Sequence, residues 1–320
     1  MPGPPALHDV TGKVRLDDAA AVADAVVGIL ADGAGPDDAA ILRASFAFVQ
    51  RVFDGHEPGW LACDLPYHDL RHSLDAALAM ARLVDGYRRD GGVLAPDLAL
   101  AGVVLALLHD TGFLRSTAEQ SLRGPQLAPV HEARSVAFAG DFLRTTPLAA
   151  HAPLASLIMA TRVAQAPAPW LEGRDPSIAA IGRMLGSADL LCQVADTRYL
   201  ARCFHHLYPE LVLGGGDRKR MPDGRVEVLF KDARDLVTCT PAFHDHVVRP
   251  RLVRDFANVA QHLAAHFGGS DPYATSIRAN LDTCEQIVGR QRWDLLGMPP
   301  PTTTRDLDAA YTGMPLQPGP

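Results

Sequence analysis

Apolar residues recur at helical spacing along most of the chain. Between Ala19 and Leu30 they fall three and four positions apart, directly after Asp17 and Asp18, whose charges suit the first turn of a helix. Similar spacing, with proline or glycine marking several of the boundaries, continues to the C-terminal region. It predicts further helices over residues 36–53, 68–89, 96–109, 130–144, 148–164, 176–207, 243–267 and 273–291. The pattern is typical of an all-α fold.

One segment departs from the helical pattern. Arg225 to Phe230 alternates apolar and polar residues and predicts a short strand, which cannot build a sheet alone. The proline-rich ends predict disordered tails over residues 1–15 and 296–320. A single domain is therefore expected over residues 16–295.

Composition narrows the class of protein. The 320 residues carry 30 Lys and Arg against 37 Asp and Glu, a net charge of −7, which argues against a nucleic-acid partner. The longest apolar run, Leu98 to Leu108, is shorter than the roughly 20 residues of a membrane span, so it predicts a buried core helix and no membrane partner. The N-terminus lacks a signal-peptide pattern, and the five cysteines are scattered. These features predict a cytoplasmic protein.

Among the 13 histidines, one pair stands out. His68 and His72 are four residues apart in Tyr67-His68-Asp69-Leu70-Arg71-His72, so on one helix they would share a face. Imidazole binds zinc-like metals and titrates near neutral pH. The pair therefore suits one metal ligand and one proton donor, and a capped helix start with surface histidines is the alternative.

Two further polar groups lie among apolar residues. His109-Asp110 ends the apolar run, and Asp189 lies within a long apolar helix. Burying such groups is costly unless something satisfies them, and a divalent cation would do so. A solvated loop for His109-Asp110 and a capping or ion-paired role for Asp189 are the alternatives. Together with the histidine pair they form a mixed nitrogen and oxygen set that suits a hard or borderline cation.

The order H…HD…D resembles the HD-domain metal-dependent phosphohydrolases, and more narrowly the catalytic domain of the cyclic-nucleotide phosphodiesterases. Tyr67-His68-Asp69-Leu70-Arg71-His72 matches a Tyr-His-Asn-x-x-His segment of that family, and Ser187-Ala188-Asp189-Leu190-Leu191 is similar to its Cys-Ala-Asp-Leu-Ser segment. The resemblance covers about residues 60–255. It implies an HD-domain or PDEase-like helical bundle with a metal site between helices.

The resemblance also implies a role for individual residues. The implied metal ligands are His72, His109, Asp110 and Asp189. They would bind the first of two divalent ions (zinc, magnesium or manganese, with iron as a further choice), and Asp110 would bridge to the second, which would be held mostly by waters. His68 would be the general acid, and Glu132 would hold that histidine or a metal-bound water. The implied substrate-binding residues are Tyr67, Thr240 and Phe243, and the substrate is a small nucleotide-like phosphate ester.

Two departures from the family pattern bear on the substrate. Thr111-Gly112-Phe113-Leu114 follows the His-Asp pair where the family has His-Pro-Gly. Thr240 occupies the position of a purine-reading glutamine, and one hydroxyl cannot form the two hydrogen bonds that an amide forms. The expectation is therefore phosphohydrolase chemistry, with specificity for cyclic purine nucleotides left open.

Two other functions remain open from sequence. HD-domain di-iron oxygenases add two histidines between the His-Asp pair and the last aspartate, and this chain offers His131 and His151 there. A non-catalytic helical domain that binds a nucleotide is the other alternative. An exposed apolar helix face would also allow a homodimer.

Overall fold

Thirteen α-helices account for most of the regular structure in the described part of the chain. The computed structural model describes residues 7–304, apart from Ala34 and Pro222. The helices are α1 (Ala19–Leu30), α2 (Pro36–Phe53), α3 (Leu70–Arg89), α4 (Pro96–Leu108), α5 (His131–Arg144), α6 (Ala168–Leu171), α7 (Pro176–Val194), α8 (Tyr199–Arg202), α9 (Tyr208–Gly214), α10 (Ala233–Thr238), α11 (Thr240–Phe243), α12 (His262–His266) and α13 (Pro272–Arg290). The predicted all-α fold is confirmed.

A single hairpin is the whole of the sheet structure in the described residues. The predicted strand is present as β2 (Val226–Val228), and it pairs antiparallel with β1 (Arg218–Arg220), which the sequence pattern did not indicate. Both strands are exposed to solvent, so the hairpin stands outside the helical core.

Three of the predicted helices are broken or of another type. The chain bends by 88° between α7 and the stretch from α8 to α9, where the Asp196 carboxylate accepts the Arg198 amide. Residues 149–161 form a 3-10 helix that contains Pro153, which has no backbone N–H to donate. Residues 243–267 are divided among π-helical and short helical segments and a turn with a left-handed Asn258.

The core is built around α3, α4 and α7, which pack against one another. Every residue from Leu98 to Leu108 is buried, so α4 is surrounded by protein on all sides. The stretch Pro96–Phe113 is long and apolar enough to cross a membrane, and 89% of it is buried inside the protein. Its lack of a polar face thus matches the predicted core helix.

Parts of both predicted tails are folded against this core. Asp9 is buried and accepts hydrogen bonds from the Val14 amide and the Arg82 side chain of α3. At the other end, Leu296 and Thr304 are buried. The expectation of disorder is therefore wrong for residues 7–15 and 296–304, because their polar groups find partners in the core. The remaining parts of the predicted tails, residues 1–6 and 305–320, lie outside the described residues.

Buried charges run along one side of α3. Arg71 pairs with Asp196 at 2.7 Å, with side chains 5% exposed on both partners. One turn further on, Asp75 is buried, and its Oδ1 has no hydrogen-bond partner among the described residues. Burial outweighs the attraction of Arg71 and raises the pKa of Asp75 to about 7. Ionising Asp75 therefore costs more in the folded than in the unfolded protein.

This carboxyl makes stability depend on pH in a defined direction. Because the pKa of Asp75 is higher in the folded protein than in the unfolded chain, its contribution is fully present below about pH 4 and is lost as the pH rises towards 7. We expect Asp75→Asn to raise the melting temperature by several degrees at pH 7.5 and by little at pH 4. Thermal unfolding with a chelator present measures this, with Asp282→Asn on the surface as the control. If the difference in melting temperature between Asp75→Asn and the wild type were the same at both pH values, the prediction would be contradicted.

Candidate metal centre

Four polar side chains meet where three core helices come together. His72 lies in the first turn of α3, and Asp189 lies in the middle of α7. His109 caps the C-terminus of α4, and Asp110 follows it. All four residues are buried. The structure thus brings together the four ligands that the sequence predicted.

The donor atoms of these residues are almost equally spaced. His72 Nε2 lies 3.1 Å from His109 Nε2, 3.2 Å from Asp110 Oδ2 and 3.3 Å from Asp189 Oδ1. His109 Nε2 lies 3.3 Å from the same oxygen of Asp110 and 3.4 Å from that of Asp189. Ligands about 2.0–2.1 Å from a tetrahedral zinc lie roughly 3.3–3.4 Å apart. The spacing is therefore that of ligands around a common cation.

Hydrogen bonds behind the two histidines orient their rings. His109 Nδ1 donates to the Ala106 carbonyl at 2.8 Å, which directs the Nε2 lone pair to the centre. His72 Nδ1 lies 3.6 Å from Cys192 Sγ, and that thiol also lies 3.1 Å from the Asp189 carbonyl oxygen. Burial raises the pKa of the Cys192 thiol to about 12, so the group is a neutral thiol at pH 7. It can donate to the carbonyl and accept from the imidazole.

The charges of the four side chains are strongly coupled. Burial disfavours protonated His109, yet Asp110 and Asp189 outweigh it and raise its pKa to about 10. Burial likewise disfavours protonated His72, but Cys192 and the same two carboxylates raise its pKa well above the ordinary value. Burial would raise the pKa of Asp110, and the two histidines hold it well below its usual range instead. Each carboxylate therefore favours protonation of the histidines that face it, and the histidines favour ionisation of the carboxylates.

A second group of ligands adjoins the first through Asp110. His131 Nε2 lies 3.6 Å from Asp110 Oδ1, the oxygen that faces away from the first group. His131 Nδ1 is 2.7 Å from the Ala128 carbonyl, so this ring is oriented in the same way as His109. Asp110 and His131 could therefore hold a second cation, with Asp110 as the bridge.

His68 lies at the accessible edge of the centre. It precedes the N-cap residue Asp69, so the expectation that it shares a helix with His72 is wrong, although the two rings lie 5.6 Å apart. Its Nδ1 is 2.7 Å from Glu210 Oε2, and its ring stacks on Phe113 at 4.8 Å. Its side chain is 20% exposed, against 5% for that of His72. The His68 ring is therefore accessible to a molecule that approaches from solvent, unlike the buried ring of His72.

The sequence suggested that Glu132 could hold His68, but the two residues are not paired. The Glu132 carboxylate lies 3.4 Å from His131 Nδ1 and 3.6 Å from Arg162 Nε. The partner of His68 is Glu210 of α9, which lies far away along the chain. No local motif marks Glu210, because only the bend between α7 and α8 brings α9 to the His68 loop.

Of the three predicted substrate-binding residues, Tyr67 lies beside the centre, with its ring 5.0 Å from that of His68 and 6.3 Å from that of His72, whereas the other two line a separate cavity. Tyr67 is buried, with the Arg202 guanidinium 5.0 Å from its ring centre, and burial raises its pKa well above the ordinary value. Thr240 and Phe243 line a small cavity against α13 together with Tyr199 and Asn280. None of the four metal-centre residues lines that cavity. The structure therefore does not bring Thr240 and Phe243 to the metal centre.

His151 also lies elsewhere. Its Nε2 is 2.9 Å from Asp97 Oδ2 in the first turn of α4, whereas His109 follows the last turn of the same helix. The separation of 12 positions from Asp97 to His109 corresponds to about 18 Å of helix. Of the two extra histidines that a di-iron oxygenase would need, only His131 reaches the centre.

The site is thus a buried four-ligand centre with a second, more open pair beside it. His109 and Asp110 are adjacent, whereas His72 and Asp189 come from other parts of the chain. Backbone carbonyls orient the rings of His109 and His131, and the Gln193 side-chain amide donates to Asp189 Oδ1 at 2.6 Å. No protein-family model matches the chain, and no curated protein matches it in sequence.

Replacing the thiol tests whether Cys192 orients the His72 ring. We expect Cys192→Ala to lower zinc affinity by about 10–100-fold, because His72 Nδ1 loses its partner. His72→Ala should lower it further, since a ligand is lost, and His262→Ala should leave it unchanged. Competition with a chromophoric chelator measures the affinities. Unchanged affinity in Cys192→Ala would show that the thiol only fills space.

Proton release tests the charge state of the centre. Because the pKa values of His72 and His109 are raised, protons compete with zinc for both imidazole rings. We expect zinc binding at pH 7 to release protons and to become tighter as the pH rises. Calorimetry in buffers of different ionisation enthalpy gives the number of protons released. Zinc binding at pH 7 without proton release would contradict the raised pKa values of the two histidines.

Proposed function

We propose that this protein is a metal-dependent phosphohydrolase that cleaves phosphodiesters. The observation that carries the proposal is the convergence of His72, His109, Asp110 and Asp189, with donor atoms 3.1–3.4 Å apart, beside a carboxylate-held His68. The order of these residues along the chain resembles the HD-domain phosphohydrolases, which supports the same reaction. An HD-domain assignment is part of the proposal.

Desolvation explains why a cation belongs in this centre. Two carboxylates buried between apolar helices need compensating positive charge. A mixed set of two nitrogens and two oxygens suits zinc, manganese or iron, and two neutral imidazoles with two carboxylates neutralise a dication. When bound, such an ion supplies a Lewis acid and lowers the pKa of a coordinated water from 15.7 to about 7.

The side chains at the open edge supply the proton. The Nδ1 of His68 faces Glu210, so the ring presents Nε2 as the atom that can donate to a leaving alkoxide. The same carboxylate accepts the backbone amides of Tyr67 and His68, which fixes both the loop and the ring. Phe113 stacks between His68 and His131, at 4.8 and 4.0 Å, and holds the two rings apart.

The position of His68 favours a hydrolase that protonates its leaving group over a protein that only binds a nucleotide. A binding domain needs no proton donor held beside a cation site. The oxygenase is disfavoured because His151 pairs with Asp97 instead of entering the centre. The substrate class follows from the chemistry: an anionic diester whose leaving oxygen requires a proton.

The dependence on the leaving group tests His68 as the general acid. We expect His68→Asn to lower kcat about 10²–10⁴-fold for 3′,5′-cyclic nucleotides or other diesters with alkoxide leaving groups. For bis(p-nitrophenyl) phosphate the loss should be much smaller, because p-nitrophenolate leaves without a proton. Kinetics on zinc- and manganese-loaded protein measure the difference, with His262→Asn as the control.

Other outcomes would contradict parts of this proposal. Equal losses for both leaving groups would remove His68 from the proton-donor role. Cleavage of phosphomonoesters alone would make the protein a phosphatase instead. Bound iron with oxygen consumption and no phosphate release would overturn the hydrolase.

A further inference from the structure

The C-terminal segment reaches back to the loop that carries His68. The hydroxyl of Thr302 donates to Asp69 Oδ2 at 2.7 Å, and the Thr303 amide donates to the same oxygen at 2.9 Å. The hydroxyl of Thr304 donates to the Leu65 carbonyl. We call residues 302–304 the strap. Its hydrogen bonds join residues that lie more than 230 positions apart in the sequence.

The strap contacts the His68 loop on both sides of the histidine. Leu65 lies three residues before His68 and Asp69 directly after it. The middle of the loop is held from another direction, where Arg202 donates to the Tyr67 carbonyl at 2.6 Å and Glu210 accepts from His68 Nδ1. The ring is therefore fixed by α9, while the ends of the loop are fixed by the strap.

The two carboxylate oxygens of Asp69 have different partners. One contacts the strap, and the other contacts the backbone of His72, a proposed metal ligand. Oδ1 accepts the His72 amide at 3.3 Å and lies 3.5 Å from Arg202 Nη2, so it serves as the N-cap of α3. Oδ2 accepts from Thr302 and Thr303. Loss of the strap therefore frees Oδ2 and leaves the N-cap contact to His72 in place.

We propose that Thr302, Thr303 and Thr304 are positioning residues that fix the His68 loop for proton donation. The proposal rests on the proposed function, in which His68 is the general acid. Proton transfer requires donor and acceptor atoms about 2.6–3.2 Å apart, and a displacement of about 1 Å can cost 10²-fold in rate. Without the strap, Glu210 and the N-cap contact of Asp69 would still hold the loop, but the Leu65 carbonyl and Asp69 Oδ2 would lose their partners, and the backbone that carries the ring could shift relative to a substrate on the metal centre.

The double variant Thr302→Val/Thr304→Val tests the strap, because it removes both hydroxyl donors and keeps the shape of the side chains. Thr302→Ser/Thr304→Ser retains the hydroxyls, and Thr283→Val removes a hydroxyl that donates to the Ala279 carbonyl within α13. Each protein is metal-loaded, and its metal content and melting temperature are measured first. If the double variant does not melt cooperatively, Thr302→Val replaces it.

Two readouts separate positioning from general stability. We expect the valine pair to lower kcat about tenfold for a diester with an alkoxide leaving group. KM, metal content and the rate for bis(p-nitrophenyl) phosphate should stay within about twofold of wild type. Amide hydrogen exchange in the peptide covering residues 65–72 should become about tenfold faster, because removing hydrogen bonds favours local opening. The serine pair should match wild type in every readout.

The proposal is overturned if the valine pair matches Thr283→Val in both exchange and kcat. It is also overturned if both leaving groups are slowed equally, since that marks a general loss of structure, or if the serine pair fails like the valine pair. Absence of hydrolysis by the wild-type protein would count against the proposed function. Faster exchange at residues 65–72 would then still show that the strap holds the loop, while overturning its role in catalysis.

Discussion

The centre depends on one electrostatic constraint: two carboxylates are buried between apolar helices and need positive charge beside them. Asp110 and Asp189 face His72 and His109 at 3.2–3.4 Å, and the pairs of opposite charge compensate one another. The raised pKa of His109 and the lowered pKa of Asp110 both express this coupling. A dication bound between these groups would supply compensating charge at the same place.

Apolar packing makes the geometry of this centre rigid. The helices α3, α4 and α7 pack directly against one another, so the ends of α3 and α4 cannot move without disturbing a close-packed core. The backbone then sets the ring orientations, since the carbonyls of Ala106 and Ala128 accept from the Nδ1 atoms of His109 and His131. The ligands are thus preorganised by interactions that do not involve a metal.

Around this rigid centre, the proton donor is held by long-range contacts. Glu210 on α9 and the strap at Thr302–Thr304 approach the His68 loop from different parts of the chain. The buried pairs of Arg71 and Arg202 with Asp196 tie α3 to the bend after α7. Rigid helices therefore hold the metal ligands, and a clamped loop holds the group that would meet the substrate.

The sequence by itself determined the helical class and the buried α4, and it pointed to the four candidate ligands, because helical periodicity and costly buried polar groups are local features. It could not place Glu210, Cys192 or the strap, whose partners lie over 100 residues away. The family resemblance also implied that Thr240 and Phe243 bind substrate at the centre, whereas their packing against α13 places them in another cavity. Only the tertiary structure decides such pairings, because they depend on the bend at Asp196 and on the path of the chain ends.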